Sequence, residues 1–166
     1  MKIIFFGSPN DAVQLLDSLI TAGHEIAAVY TQPDRQVGRG LTKQATAVKI
    51  FSEQCGLETF TPVSLRDDEE EFARISNIGA DAFVVVAYGR ILPPQILDIP
   101  PLGVINVRPS LLPLYRGPSP VSTAILDGQS YTGVSLMLLD AGMDTGPVLA
   151  QSLPINLSGR ERRGEL

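Results

Sequence analysis

Three side chains in this sequence carry groups suited to acyl transfer. Asn106 supplies an amide, Arg108 a guanidinium and Asp144 a carboxylate. Asn106 and Arg108 stand where an apolar run ends, in Asn106-Val107-Arg108-Pro109-Ser110-Leu111-Leu112-Pro113, and Asp144 lies in the loop Leu139-Asp140-Ala141-Gly142-Met143-Asp144-Thr145-Gly146. An amide N–H aimed at a developing oxyanion contributes on the order of 3 kcal/mol. A carboxylate can take a proton from an amine through water, or orient a cation. A guanidinium can attract an oxyanion but cannot accept a proton near neutral pH, so Arg108 cannot serve as a general acid–base. Each residue also has a plainer reading: a turn asparagine bonding its own backbone, a surface arginine, a capping or turn aspartate. Asp140 competes with Asp144 by type. His24, the only histidine, falls in a helix-to-strand turn at the amino end of a strand and offers no substitute base.

The elements that must position these groups follow from apolar periodicity. Residues 2–6 are apolar apart from Lys2 and run into Gly7-Ser8-Pro9, as a buried strand entering a turn does. Asn10 or Asp11 is expected to cap a helix whose face is Ala12, Leu15, Leu16 and Leu19, with Gly23 ending it. Strands are predicted at 25–31, 59–61, 81–87, 103–107, 133–139 and 147–154, and helices at 44–55, 67–77 and 118–127, with a polar loop at 32–43. The β-α alternation predicts an α/β fold: a Rossmann-like, open, mostly parallel twisted sheet with helices on both faces. The last two strands, separated only by residues 140–146, suit an antiparallel pairing. Ser158-Gly159-Arg160-Glu161 reads as a capping box at the start of a further helix.

Ligands in such sheets bind beyond the carboxyl ends of strands. That expectation collects Gly7, Ser8 and Pro9, the segment Tyr88-Gly89-Arg90-Ile91-Leu92, the Asn106–Arg108 strand end and the loop from Asp140 to Gly146. Gly7-Ser8-Pro9-Asn10 opens a helix and suits a small anionic or polar group, but it matches neither a dinucleotide nor a Walker fingerprint. Arg35, Arg39, Lys43 and Lys49 gather basic charge in and after the 32–43 loop, solvated or in contact with phosphates.

Composition sets the outer limits. The 166 residues are 44% apolar and 19% charged, which suits one soluble domain with a sizeable core. No apolar run reaches the roughly 20 residues of a membrane helix. One cysteine, Cys55, forms no internal disulfide and no metal cluster. The net charge of −5 argues against strong stand-alone binding of nucleic acid.

The motifs 106–113, Tyr115-Arg116-Gly117-Pro118-Ser119-Pro120 and 140–146 resemble those of folate-dependent formyltransferases. With Thr31-Gln32-Pro33-Asp34-Arg35, Gly38-Arg39-Gly40 and Val86 to Pro93, the whole chain resembles the N-terminal catalytic domain of methionyl-tRNA formyltransferases. The resemblance implies a formyltransferase fold over 1–166, cut before a C-terminal tRNA-binding domain. It implies formyl transfer from 10-formyltetrahydrofolate to the amino group of methionyl initiator tRNA, without metal. Asn106, Arg108 and Asp144 would be the catalytic set. Tyr88, Gly89, Arg90, Ile91, Leu92, Asp140 and Gly142 would bind folate. Gly7, Ser8, Pro9, Arg35, Arg39, Lys43, Ser110, Leu111, Leu112 and Pro113 would bind substrate. In that family the position of Arg108 is a histidine, so impaired transfer is expected, with weak tRNA binding in the absence of a C-terminal domain. A cytoplasmic monomer is expected. Two alternatives remain open: another amine acceptor, such as glycinamide ribonucleotide or an amino sugar, and a non-catalytic folate-binding module.

Overall fold

The computed structural model describes residues 1–37, 42–117, 119–142 and 144–159, without the side chain of Val37. Arg39 and its neighbours Gly38 and Gly40, Met143, and the Arg160-Glu161 half of the capping box lie outside the described residues. The chain divides into two compact units, Met1–Val104 and Ile105–Leu166.

Unit 1 contains β1 (Lys2–Gly7), α1 (Asn10–Thr21), β2 (Glu25–Tyr30), β3 (Arg35–Val37), β4 (Thr42–Gln44), α2 (Ala47–Gln54), β5 (Thr59–Phe60), α3 (Glu69–Ile78), β6 (Ala82–Val86) and α4 (Pro94–Leu97). β1 lies parallel between β2 and β6, and β5 extends the sheet beyond β2. The apolar runs explain this arrangement. Ile3 to Phe6 and Phe83 are almost wholly buried, as strands covered on both sides must be. Phe6 anchors the core, stacking on Tyr30 at 5.0 Å between centroids and meeting Phe83 and Tyr88 at 5.5 Å each.

Local chemistry sets the helix ends. Thr46 caps α2, its Oγ1 accepting the Lys49 N–H at 3.1 Å. Asp68 caps α3 in the same way, ahead of Glu69, Glu70 and Glu71, whose charges suit the helix dipole. Gly79 ends α3 in the left-handed conformation. At α1 the expectation fails: Pro9 holds the N-cap position, and neither Asn10 nor Asp11 caps from outside the helix. Proline has no side-chain acceptor for the first N–H groups of the helix, and the Pro9 carbonyl takes the Ala12 N–H at 3.2 Å instead.

The expected polar loop at 32–43 is instead the antiparallel hairpin β3–β4, with Arg35 opposite Gln44 and Gln36 opposite Lys43. Its residues lack an apolar alternation, so periodicity could not reveal it. The helix predicted from residue 44 accordingly starts later, at Ala47.

Unit 2 contains most of β7 (Val104–Arg108), then α5 (Pro120–Leu126), β8 (Tyr131–Thr132), β9 (Ser135–Leu138), β10 (Val148–Gln151) and β11 (Ile155–Asn156). β9 is antiparallel to both β7 and β10, as the short 140–146 connection requires. The strand predicted over 133–139 is the shorter β9, and β8, just ahead of it, pairs with β11. The main sheet counts seven strands and is mostly parallel, the α/β class that the alternation predicts.

Phe6→Ala removes the centre of the aromatic cluster. It is expected to lower unfolding free energy by about 3–5 kcal/mol, read from urea denaturation midpoints.

Candidate active site

In unit 2, β7 delivers Arg108 and the β9–β10 connection delivers Asp144. Both are buried, at 8% and 9% exposure. They form an ion pair, Arg108 Nη1 to Asp144 Oδ2, at 2.9 Å. The Gly117 N–H also donates to Asp144 Oδ2, at 3.0 Å. Arg108 Nη2 donates to the carbonyl of Tyr115 at 2.6 Å and to that of Gly117. The guanidinium therefore ties a carboxylate and two carbonyls together. Burial pulls the arginine down from its usual value and the Asp144 charge opposes that, yet a guanidinium stays protonated at physiological pH.

Arg108 enters the site already tied to its own chain. Its Nη1 and Nη2 groups bond to the protein itself. Its Nε is buried with no acceptor among the described residues. Tyr115 and Asp144 both hold left-handed backbone, at φ 56° and 52°. For tyrosine this is unfavourable, and the bond from Arg108 helps hold it. Aspartate tolerates the region better.

Asp144 Oδ1 and the Asn106 amide have no hydrogen-bond partner among the described residues. Side chains two apart on a strand share a face, so Asn106 lies on the Arg108 face of β7. The structure thus brings Arg108 and Asp144 together and sets Asn106 one step along the same strand.

Asp140 is a turn residue. Its carboxylate accepts the Gly142 N–H at 3.0 Å and the Thr145 hydroxyl at 2.8 and 2.9 Å, closing the loop on itself. Gly146 has to be small: a Cβ there would come 2.0 Å from the Leu138 carbonyl oxygen.

Ser135 and Gln151 went unnoticed in the sequence. Ser135 Oγ donates to the Ser110 carbonyl at 2.7 Å and accepts the Leu112 N–H at 3.0 Å. Gln151 Nε2 donates to Ser135 Oγ and to the Leu112 carbonyl, each at 2.9 Å. Together they clamp the 110–112 turn that follows Arg108. The available signal was a serine at the start of an apolar strand, Ser135-Leu136-Met137-Leu138. Of the turn, Ser110 and Leu112 are buried and Pro113 is exposed, while Leu111 is half-buried. The Ser110 hydroxyl has no partner among the described residues.

In unit 1, Ser8 accepts the Gln32 N–H at 3.2 Å and donates to the Tyr88 carbonyl at 3.3 Å, so its hydroxyl is already bonded. Tyr88 is buried and its hydroxyl has no partner among the described residues; burial pushes it up to about 12, against the pull of Arg90. Gly89 adopts φ +73°. Arg90 donates to the Val63 carbonyl, and its Nε lacks a partner among the described residues. Ile91 is 81% exposed and Leu92 is buried. Arg35 and Lys43 project to opposite faces of the hairpin ribbon, since Arg35 pairs with Gln44 and Lys43 with Gln36.

Residues 1–157 match the formyl transferase family. This chain belongs to that family. It is 50% identical over 149 residues to the methionyl-tRNA formyltransferase of Dechloromonas aromatica, covering 90% of this chain and 48% of that protein. It is 49% identical over 166 residues to the methionyl-tRNA formyltransferase of Chloroflexus aggregans, covering 100% of this chain and 53% of that protein. The chain therefore spans about half the length of these relatives. The fold resembles the phosphoribosylglycinamide formyltransferase of Bacillus halodurans, with a TM-score of 0.80 at 21% identity over 99% of this chain and 84% of that one. It also resembles a formyltetrahydrofolate deformylase of Pseudomonas syringae pv. tomato, with a TM-score of 0.75 at 22% identity over 99% of this chain and 54% of that one.

Two outcomes test the site. Asp144→Asn leaves a buried guanidinium without its counter-charge and is expected to cost about 3–5 kcal/mol in urea unfolding. Tyr88 titrates near pH 10 when unfolded and near 12 when folded. Its stabilising contribution is complete below pH 10 and is lost as pH rises from 10 to 12. Tyr88→Phe should flatten that part of the stability–pH profile.

Proposed function

We propose that this chain carries the formyl-transfer site of a methionyl-tRNA formyltransferase, and that Arg108 slows the reaction it serves. The observation that carries this reading is the Arg108–Asp144 pair at 2.9 Å, with Asn106 on the same strand face, in a chain of the formyl transferase family. A neutral amide and a carboxylate oxygen, each without a partner among the described residues, fit a formyl carbonyl and an attacking amine. Bound 10-formyltetrahydrofolate would supply the formyl group at its N10. Residues 140 and 142 in unit 2, and 88–92 in unit 1, are the proposed folate contacts.

In this reading the Asn106 N–H donates to the formyl oxygen as the methionyl amine attacks the formyl carbon. A new C–N bond forms and the bond from that carbon to N10 breaks. Asp144 Oδ1 takes the proton that the amine loses, directly or through water. The leaving N10 must gain a proton. A histidine at 108 would relay one, whereas the guanidinium retains its own. Arg108 also holds Asp144 Oδ2 as the partner of a fixed cation, which leaves Oδ1 to meet the amine. The hairpin formed by Arg35–Val37 and Thr42–Gln44, with Arg35, Arg39 and Lys43, is the proposed contact with tRNA phosphates. Binding by residues 1–166 alone is expected to be weak, given the net charge of −5.

A second reading is favoured by one observation: the Arg108 Nη1 and Nη2 groups are engaged with Asp144, Tyr115 and Gly117. On that reading the chain binds folate without turnover.

Arg108→His separates the two. It is expected to raise formyl transfer to methionyl-tRNA by about 10²- to 10⁴-fold, the usual range for a general acid–base. It also removes the donor to two loop carbonyls, so a stability loss of about 1–3 kcal/mol should accompany it. Unchanged transfer in a folded Arg108→His protein would support the non-catalytic reading.

A further inference from the structure

The hairpin that carries Arg35 and Lys43 stands on a base built around one buried amide. Gln32 is 7% exposed. Its Nε2 donates to the Tyr88 carbonyl at 2.6 Å, its Oε1 accepts from Arg35 Nη2, and its backbone N–H donates to Ser8 Oγ at 3.2 Å. The side chain therefore joins the turn after β6 to the first residue of β3, and the backbone of the same residue ties in the segment after β1. The chemistry of the site demands an amide. It gives the Tyr88 carbonyl a donor at 2.6 Å, closer than Ser8 Oγ at 3.3 Å, and gives the Arg35 guanidinium an acceptor; glutamate lacks the first and leucine lacks both.

The neighbouring turn is shaped to admit this amide. A Cβ at Gly89 would lie 2.2 Å from Gln32 Nε2. The other foot of the hairpin is fixed as well. Thr46 Oγ1 lies 2.6 Å from Thr31 Oγ1, and Lys49 Nζ reaches Asp34 Oδ1 at 2.8 Å. These bonds engage Arg35 and Lys49 with the protein. Lys43, exposed on β4, has no partner among the described residues.

We infer that Gln32 is a positioning residue: it fixes the direction of the β3–β4 hairpin by tying Arg35 to the Tyr88 carbonyl, and so sets how Lys43 meets a phosphate backbone. The phosphate part rests on the reading of the hairpin as an RNA contact. A residue that served only the core would loosen the sheet and hairpin together. Gln32 holds the hairpin at a single point and should loosen the hairpin selectively.

The test uses Gln32→Leu in the 166-residue chain, with amide hydrogen exchange and binding to an RNA minihelix that copies a tRNA acceptor stem. Exchange at Arg35, Gln36, Lys43 and Gln44 is expected to rise at least tenfold, with β1 amides within twofold of the parent. Minihelix affinity at low salt is expected to fall three- to tenfold, and Lys43→Ala should then cost less than it does in the parent. Unchanged hairpin exchange, or an equal rise in hairpin and β1, overturns the inference. If Gln32→Leu does not fold, Arg35→Leu cuts the same link from the exposed side and must give the same selective exchange. A parent chain with no salt-dependent minihelix binding refutes the RNA reading, while the exchange data still decide the anchor.

Discussion

A guanidinium and a carboxylate are buried against each other at the end of β7, and much of unit 2 is arranged around that pair. Neither charge could be placed there alone, because an unpaired buried ion costs several kcal/mol. The pair also needs its remaining hydrogen-bonding capacity filled. The carbonyls of Tyr115 and Gly117 and the N–H of Gly117 fill part of it, leaving Arg108 Nε and Asp144 Oδ1 without a partner among the described residues. The loop after Pro113 thus takes its shape partly from a side chain at the end of the preceding strand.

The same contact has opposite meanings for architecture and for chemistry. As architecture it joins two loops, each with a non-glycine residue in left-handed backbone. As chemistry it sets a fixed positive charge beside the proton-accepting carboxylate of the proposed reaction, where an imidazole could have exchanged protons. A histidine has fewer donors and a shorter reach. A loop held by Arg108 is therefore not the loop that a histidine at 108 would hold, and the effect of the residue at 108 extends beyond proton transfer.

Much of this was legible in the sequence where hydrophobic periodicity speaks. The apolar runs at 3–6, 26–30 and 82–86 marked buried strands because covered sheets leave no polar alternation. The Asn106, Arg108 and Asp144 positions came from motif resemblance, and the structure joins the last two in direct contact. The β3–β4 hairpin was missed because its polar residues carry no period. The cap of α1 was misassigned because Pro9, not a polar side chain, holds that position. Ser135 and Gln32 escaped because buried polar residues are recognisable only by what they touch, and Gln151 because an exposed strand glutamine looks like any other. Asp140 could not be separated from Asp144 by type; its bonds to Gly142 and Thr145 make that separation.

The Ser135 hydroxyl reaches three parts of the chain from a fully enclosed position. It has no charge, faces no solvent and reacts with nothing. Yet replacing it with a methyl would leave an amide, a carbonyl and the Gln151 side chain to find new arrangements simultaneously. Inherited change at such a place would keep every reactive group intact while blurring where they stand, a form of damage that a survey of catalytic residues would overlook.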